Sequence, residues 1–97
     1  MIKKREELDI PKKIIPILKK RGVIKAGLFG SFARGEAKKN SDIDIVVQFK
    51  PGKSLFDLIA LEFELEERLG RKVDVGTYNS LHPLLKRQIL SETIEIL

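Results

Sequence analysis

Three aspartates are the side chains of this chain best suited to do chemistry. Asp42 and Asp44 alternate with Ile43 and Ile45 at the start of an apolar run typical of a buried strand. Side chains alternate along a strand, so both carboxylates lie on one face, with their Cα atoms about 7 Å apart. Asp74 interrupts a second short apolar run. If the two strands are parallel neighbours, all three carboxylates converge.

Three like charges at one end of a sheet repel one another, which raises their pKa values unless a cation neutralises them. A divalent ion with oxygen ligands is the natural partner, and Mg²⁺ fits where phosphates complete its coordination shell. An isolated Asp-x-Asp is nevertheless common. Taken alone, the pattern favours a plain turn at Asp42, a solvent-facing Asp44 and an edge acid at Asp74.

The segment before these aspartates reverses that preference. Gly30 and Ser31 follow an apolar run, where a glycine lets a phosphate approach the backbone amides and a serine hydroxyl adds a donor. Arg34 comes three residues later, placed to reach the same anion. A phosphate-binding turn followed ten residues later by paired carboxylates suits two metal ions that bridge a triphosphate and stabilise a departing pyrophosphate.

These residues resemble the signature of the DNA polymerase β-type nucleotidyltransferase superfamily, and in particular its minimal nucleotidyltransferase branch. The resemblance covers roughly residues 10–90. It rests on Gly30-Ser31 and Asp42-Ile43-Asp44, on the longer stretches LFGSFARGE (28–36) and SDIDIVV (41–47) around them, and on RKVDV (71–75).

The resemblance implies transfer of a nucleoside monophosphate, above all AMP from ATP, to a hydroxyl with the help of two Mg²⁺ ions. Asp42 and Asp44 would bind both ions, and Asp74 would bind the catalytic ion and act as or assist the base. The implied nucleotide contacts are Gly30 and Ser31 on the β- and γ-phosphates, and Arg34 on the nucleotide or in a structural role.

The resemblance also implies a partner. Minimal members of the branch are typically paired with a HEPN-type helical protein in toxin–antitoxin modules, in which the nucleotidyltransferase places AMP on a tyrosine of the toxin. A chain of 97 residues leaves little surface for recognising an acceptor by itself. Two other hypotheses stay open: a non-catalytic module that neutralises its partner by contact, and a nucleotidyltransferase that acts on RNA or a small molecule.

Length and composition limit the other function classes. The chain has room for one domain, residues 1–97, and a domain this small gains from a partner or from self-association. The absence of cysteine excludes disulfide scaffolds and thiolate zinc sites. The charged N-terminus and the lack of an apolar run near ~20 residues favour an intracellular, cytoplasmic protein without a membrane segment.

Positive charge is concentrated in residues 1–25, with nine Lys or Arg against three acids, whereas residues 26–97 hold ten against eleven. A basic segment can attract phosphates, RNA or an acidic protein surface. The solvated face of a helix explains the lysines equally simply, because they flank apolar positions at helical spacing. We favour the solvated face, since the segment has no aromatic residue to stack on bases.

The periodicity predicts a small mixed β-sheet flanked by helices, an α+β fold of the polymerase β-type nucleotidyltransferase kind. The first two strands should be antiparallel, and the second and third should be parallel around a crossover helix. The predicted elements are a helix from about Pro11 to Arg21, a strand at Val23–Phe29, a helical turn at Phe32–Glu36, a strand at Ile43–Phe49, a helix from the Ser54 cap to Leu69, a strand at Lys72–Gly76, a helix at Pro83–Leu90 and an edge strand at Thr93–Leu97.

The same patterns predict which side chains the helices bury. The crossover helix should turn Leu55, Leu58, Ile59, Leu65 and Leu69 inward, and the last helix Leu84, Leu85 and Ile89. Tyr78 is interpreted as half-buried packing and His82 as a helix-entry residue.

Overall fold

The structure is a computed structural model that describes the backbone of residues 2–30, 33 and 42–97, and their side chains from residue 9 onward. The described residues form these elements in chain order: α1 (Ile2–Lys20), β1 (Val23–Phe29), β2 (Ile43–Phe49), α2 (Leu55–Leu69), β3 (Val73–Thr77), a 3₁₀ turn (Tyr78–Ser80), α3 (Pro83–Glu92) and β4 (Ile94–Glu95).

The strands form one mixed sheet in the order β3-β2-β1-β4. β1 runs antiparallel to β2 and to β4, whereas β2 and β3 are parallel and connected through α2. The predicted pairings, the α+β class and the edge position of the last strand are therefore confirmed. The predicted turn at 32–36 lies outside the described residues apart from Ala33.

One face of the sheet packs against α1 and α2. Alternate residues of the strands and one side of each helix form a single apolar core. Its fully buried side chains include Ile14 and Leu18 of α1, Ile43, Ile45 and Val47 of β2, and Leu61 and Leu65 of α2.

Helix α1 begins at Ile2, so the predicted start near Pro11 is wrong. Pro11 and Pro16 both lie inside the helix, where each removes a backbone donor. Ile10, Ile14 and Leu18 follow one another at four-residue spacing and are at most 5% exposed. The burial of this stripe against the core outweighs the two missing hydrogen bonds.

The ends of α2 are those that the sequence predicts. The Ser54 amide donates to Asp57 Oδ2 at 2.7 Å in a capping box, and Gly70 ends the helix in the left-handed region at φ 66°. The predicted buried face is partly wrong, because Leu55 and Ile59 are 68% and 43% exposed and Leu61 is buried instead.

Helix α3 begins at Pro83, and its first turn is capped by His82, whose Nδ1 accepts from the Leu84 amide at 3.2 Å. The prediction that Leu84 and Leu85 point inward is wrong, since they are 84% and 52% exposed. Among the other elements, α3 contacts mainly β1, so it has little surface to pack against. None of the helices in the described part of the chain is long and apolar enough to cross a membrane.

Candidate active site

Two of the three aspartates lie side by side on the face of the sheet opposite α1 and α2. In the parallel register of β2 and β3, Asp44 pairs with Asp74. Their chain neighbours Ile43 and Ile45 are fully buried in the core, whereas Asp44 is half-buried and Asp74 is exposed. Adjacent strands lie about 4.8 Å apart, so the two carboxylates project from neighbouring positions on what we call the open face.

Asp42 stands immediately before β2, two residues from Asp44, and is exposed. The Ile43 amide donates to the Lys72 carbonyl at 3.0 Å, which holds the start of β2 beside the start of β3. Within the described ranges, no three acidic or histidine side chains are grouped closely enough to hold a metal ion. The register brings Asp44 and Asp74 together, and the convergence of all three carboxylates stays a prediction.

Gly30 directly follows β1 and lies against the Asp44 carboxylate. Phe29 is the partner of Asp44 in the β1–β2 register, and Gly30 takes the left-handed conformation at φ 70°. A Cβ at position 30 would collide with Asp44 Oδ2 and lie 3.1 Å from its Cγ. Only glycine therefore lets the chain turn against the carboxylate. Ser31 and Arg34 lie outside the described residues, so their predicted nucleotide contacts stay predictions.

Two glutamates that the sequence analysis did not assign to the site fix the strand that carries Asp74. β3 is an edge strand, and its Val73 and Val75 amides donate to Glu66 Oε2 at 3.1 Å and Glu62 Oε2 at 3.2 Å on α2. These bonds flank Asp74 and satisfy donors that an edge strand would otherwise expose. Their only signal in the sequence is the four-residue spacing of the two glutamates on a helix.

Tyr78 also lies at the open face and is half-buried, as predicted. Gly27 is the register partner of Val46, two residues along β2 from Asp44, and a Cβ on Gly27 would lie 3.4 Å from Tyr78 Oη. Lys25 Nζ is 5.0 Å from the centroid of the ring. Burial, and then the charge of Glu95, raise the pKa of Tyr78. The tyrosine therefore lies at the boundary of the open face, on the far side of Gly27 from the carboxylates.

The donor set suits a hard divalent cation. Carboxylate oxygens are the ligands that Mg²⁺ takes from proteins, and it commonly keeps water or substrate phosphate at its remaining positions. Asp42 and Asp74 are exposed, so an ion that carries such ligands can reach them. The close approach of Gly30 to Asp44 leaves no room for a side chain between this turn and the carboxylate.

Comparison with known sequences settles the family. Residues 11–96 match the family described as the nucleotidyltransferase domain. The chain belongs to the nucleotidyltransferase domain family. The resemblance predicted from the Gly-Ser and Asp-Ile-Asp segments is confirmed, and the chain is an enzyme of this class.

This nucleotidyltransferase is similar over most of its length to several individual proteins. A provisionally named protein adenylyltransferase of Methanocaldococcus jannaschii is 61% identical over 89 residues, which are 92% of this chain and 96% of that protein. A solved structure described provisionally as a minimal nucleotidyltransferase is 37% identical with a TM-score of 0.78, over 87% of this chain and 86% of the other. A crystal structure of a toxin–antitoxin with AMP-PNP is 27% identical with a TM-score of 0.79, over 90% and 72% of the two chains.

Proposed function

We propose that this nucleotidyltransferase is a protein adenylyltransferase that moves AMP from ATP onto a tyrosine hydroxyl of a HEPN-type helical toxin and thereby acts as its antitoxin. The observation that carries the proposal is the pairing of Asp44 with Asp74 on the open face, with Gly30 against Asp44. The similarity to a provisionally named protein adenylyltransferase and to a toxin–antitoxin structure with AMP-PNP supports AMP as the transferred group and a protein of a toxin–antitoxin pair as the acceptor.

In this proposal the chain's own groups bind and orient the nucleotide. The backbone at Gly30 and the hydroxyl of Ser31 bind the β- and γ-phosphates, and Arg34 adds a positive charge. Asp42, Asp44 and Asp74 would hold two Mg²⁺ ions. When bound, Mg²⁺ lowers the pKa of the acceptor hydroxyl and offsets the charge of the phosphates.

The transfer itself is a substitution at the α-phosphorus. The acceptor oxygen forms a bond to that phosphorus as the bond to the bridging oxygen of pyrophosphate breaks. The acceptor proton passes to Asp74 or, with its help, to solvent, and pyrophosphate leaves. The exposure of Asp74 is compatible with this role, because an acceptor approaching the open face can contact it directly.

The basic segment does not by itself favour an RNA acceptor. Lys12, Lys13 and Lys19 are exposed on α1. Lys20 and Arg21 pair with Glu64 at 2.6 Å, and both contacts hold the pKa of Glu64 below its ordinary value. Part of the positive charge thus has a structural partner, in agreement with a solvated helix face.

The test is incubation of the purified protein with labelled ATP, Mg²⁺, a co-purified helical partner and total RNA, followed by mass spectrometry of every product. We expect label on a partner tyrosine and its loss in Asp44→Asn. Asp9→Asn is the matched control, because Asp9 is an exposed aspartate on α1. Label in RNA alone would favour the RNA hypothesis, and neutralisation of the partner by Asp44→Asn without any label would favour the non-catalytic module.

A further inference from the structure

Helix α2 is apolar on two opposite sides. Leu61 and Leu65 face the sheet and are fully buried, whereas Phe56 and Phe63 are 82% and 67% exposed. At about 100° per residue, the two phenylalanines lie on one line, on the side of the helix opposite Leu61 and Leu65. Together with the partly exposed Ile59 and Ala60 between them, they form what we call the outer stripe.

The outer stripe is unusual for a helix at a protein surface, where the outward side is ordinarily polar. The glutamates on its flanks are turned to the protein itself. Glu62 and Glu66 accept from the amides of β3, and Glu64 pairs with Lys20 and Arg21. A contiguous exposed apolar surface whose flanking charges are engaged elsewhere marks an interaction site.

The outer stripe and the carboxylates lie on opposite sides of the molecule. The buried side of α2 and the sheet separate the stripe from Asp44 and Asp74 on the open face. An acceptor that docks on the open face therefore leaves the stripe uncovered, so the stripe stays accessible to a different surface.

We infer that the outer stripe is the two-fold interface between two copies of this chain. The midpoint between Phe56 and Phe63 falls between Ile59 and Ala60, so the stripe is symmetric about its centre. Two antiparallel α2 helices that cross there place Phe56 against the partner's Phe63 twice. The small Ala60 near the crossing point lets the two helix axes approach to about 8–10 Å, the usual distance between packed helices.

The ends of the stripe are complementary in charge when the two helices are antiparallel. The exposed Lys53 and the positive end of the helix dipole lie at the start of α2, and the exposed Glu67 lies one turn beyond Phe63. Antiparallel packing brings Lys53 towards the partner's Glu67, and symmetry repeats the pair. Both carboxylate sites then face outward, where each can meet its own acceptor.

The size of the stripe sets the expected strength. At roughly 200 Å² for a phenylalanine side chain, exposed fractions of 82% and 67% leave about 300 Å² of aromatic surface on each copy. A stable interface buries about 800 Å² per partner, and the aromatic surface of the stripe is less than half of that area. The stripe therefore forms only the centre of the interface, and we expect weak association, in the micromolar range.

The first test is sedimentation velocity of the full chain from about 1 to about 200 µM, where a micromolar equilibrium is visible. We expect the mass to rise from 11.0 kDa towards twice that value. Phe56→Glu and Phe63→Glu should each weaken association at least tenfold while circular dichroism shows a folded chain. Leu84→Glu is the matched control, since Leu84 is 84% exposed but lies on α3. A wild-type chain that stays monomeric, or Leu84→Glu that dissociates the dimer equally, would overturn the inference.

The second test addresses the antiparallel register. Lys53→Glu and Glu67→Lys should each weaken the dimer by a few-fold, and the double variant should recover most of the loss because the exchanged charges meet again. A double variant as weak as the sum of its single changes rejects this register. Neither test depends on the proposed adenylyltransferase activity, so failure of one leaves the other to be judged by its own assay.

Discussion

The two faces of β2 and β3 differ in what the same strands do. On the covered face, Ile43, Ile45 and Val73 are at most 1% exposed and pack against the helices. On the open face, the alternate positions Asp44 and Asp74 are side by side and reach solvent. One residue along a strand separates a core position from a site position. Stability and chemistry should therefore be separable by neighbouring substitutions.

The largest expected effect compares Asp44→Asn with Ile45→Ala. Asp44→Asn removes a charged ligand and relieves repulsion with Asp74, so transfer should fall about 100-fold or more with little loss of stability. Ile45→Ala leaves a cavity in the core and should lower the free energy of unfolding by about 2–5 kcal/mol. Labelled-AMP transfer and denaturant unfolding measure the two effects. If Asp44→Asn keeps full activity, the open face is not the active site.

The second prediction concerns the turn that touches the open face. Gly30→Ala forces a side chain into the left-handed region, which costs about 1–2 kcal/mol, and pushes a Cβ into the Asp44 carboxylate. Both stability and transfer should fall. Gly76→Ala is the control for stability, because nothing lies within 4 Å of a Cβ there and its φ is not positive. Equal melting temperatures for the two variants would show that Gly30 does not contact Asp44 in solution.

The covered face was the easier part to predict from the sequence. β1 and β2 have the predicted bounds, because both runs are largely apolar and are followed by turn residues, at Gly30 and at Pro51-Gly52. The two ends of α2 could also be predicted, because Ser54 and Gly70 cap the helix through interactions with neighbouring residues. Such signals work because cause and effect lie within a few residues of each other.

Helix orientation was harder, because periodicity identifies an apolar side without showing what covers it. On α2 both sides are apolar, so the sequence alone did not separate the core residue Leu61 from the exposed Leu55 and Ile59. On α3 the leucines have helical spacing, yet little of the protein lies next to them. The pairing of Asp44 with Asp74 followed from the predicted parallel strands. The hydrogen bonds from β3 to Glu62 and Glu66 join residues on different elements, so their only trace in the sequence is the four-residue spacing of the two glutamates.

The third prediction tests whether α2, on the covered side, positions the open face. Glu62→Ala leaves the Val75 amide without its acceptor and should cost about 1 kcal/mol of stability. Transfer should fall more than this loss explains, because Asp74 is the neighbouring residue on β3. Glu62→Gln is the matched variant, since its amide oxygen still accepts the hydrogen bond. If alanine and glutamine variants transfer AMP at the same rate, the bond does not position Asp74.

The smallest expected effect belongs to Tyr78 at the far end of the open face. Burial first, and the Glu95 charge second, raise its pKa above the ordinary value of about 10. A raised pKa means that the folded state favours the neutral phenol. The resulting stability is complete below pH about 10 and is lost as pH rises through the pKa of the folded state. Because Tyr78 is the only tyrosine and the chain has no tryptophan, tyrosinate absorbance reports this group alone. We expect its titration midpoint to lie above that of the urea-unfolded chain and to fall towards it in Glu95→Gln. Tyr78→Phe should lose stability less steeply than the wild type over the same alkaline range, because it lacks the titrating hydroxyl. It should still lose some stability, because both proteins share the titration of the lysines. A folded-state midpoint equal to the unfolded one would mean that the hydroxyl is solvated rather than packed over Gly27. The open face would then extend beyond Tyr78.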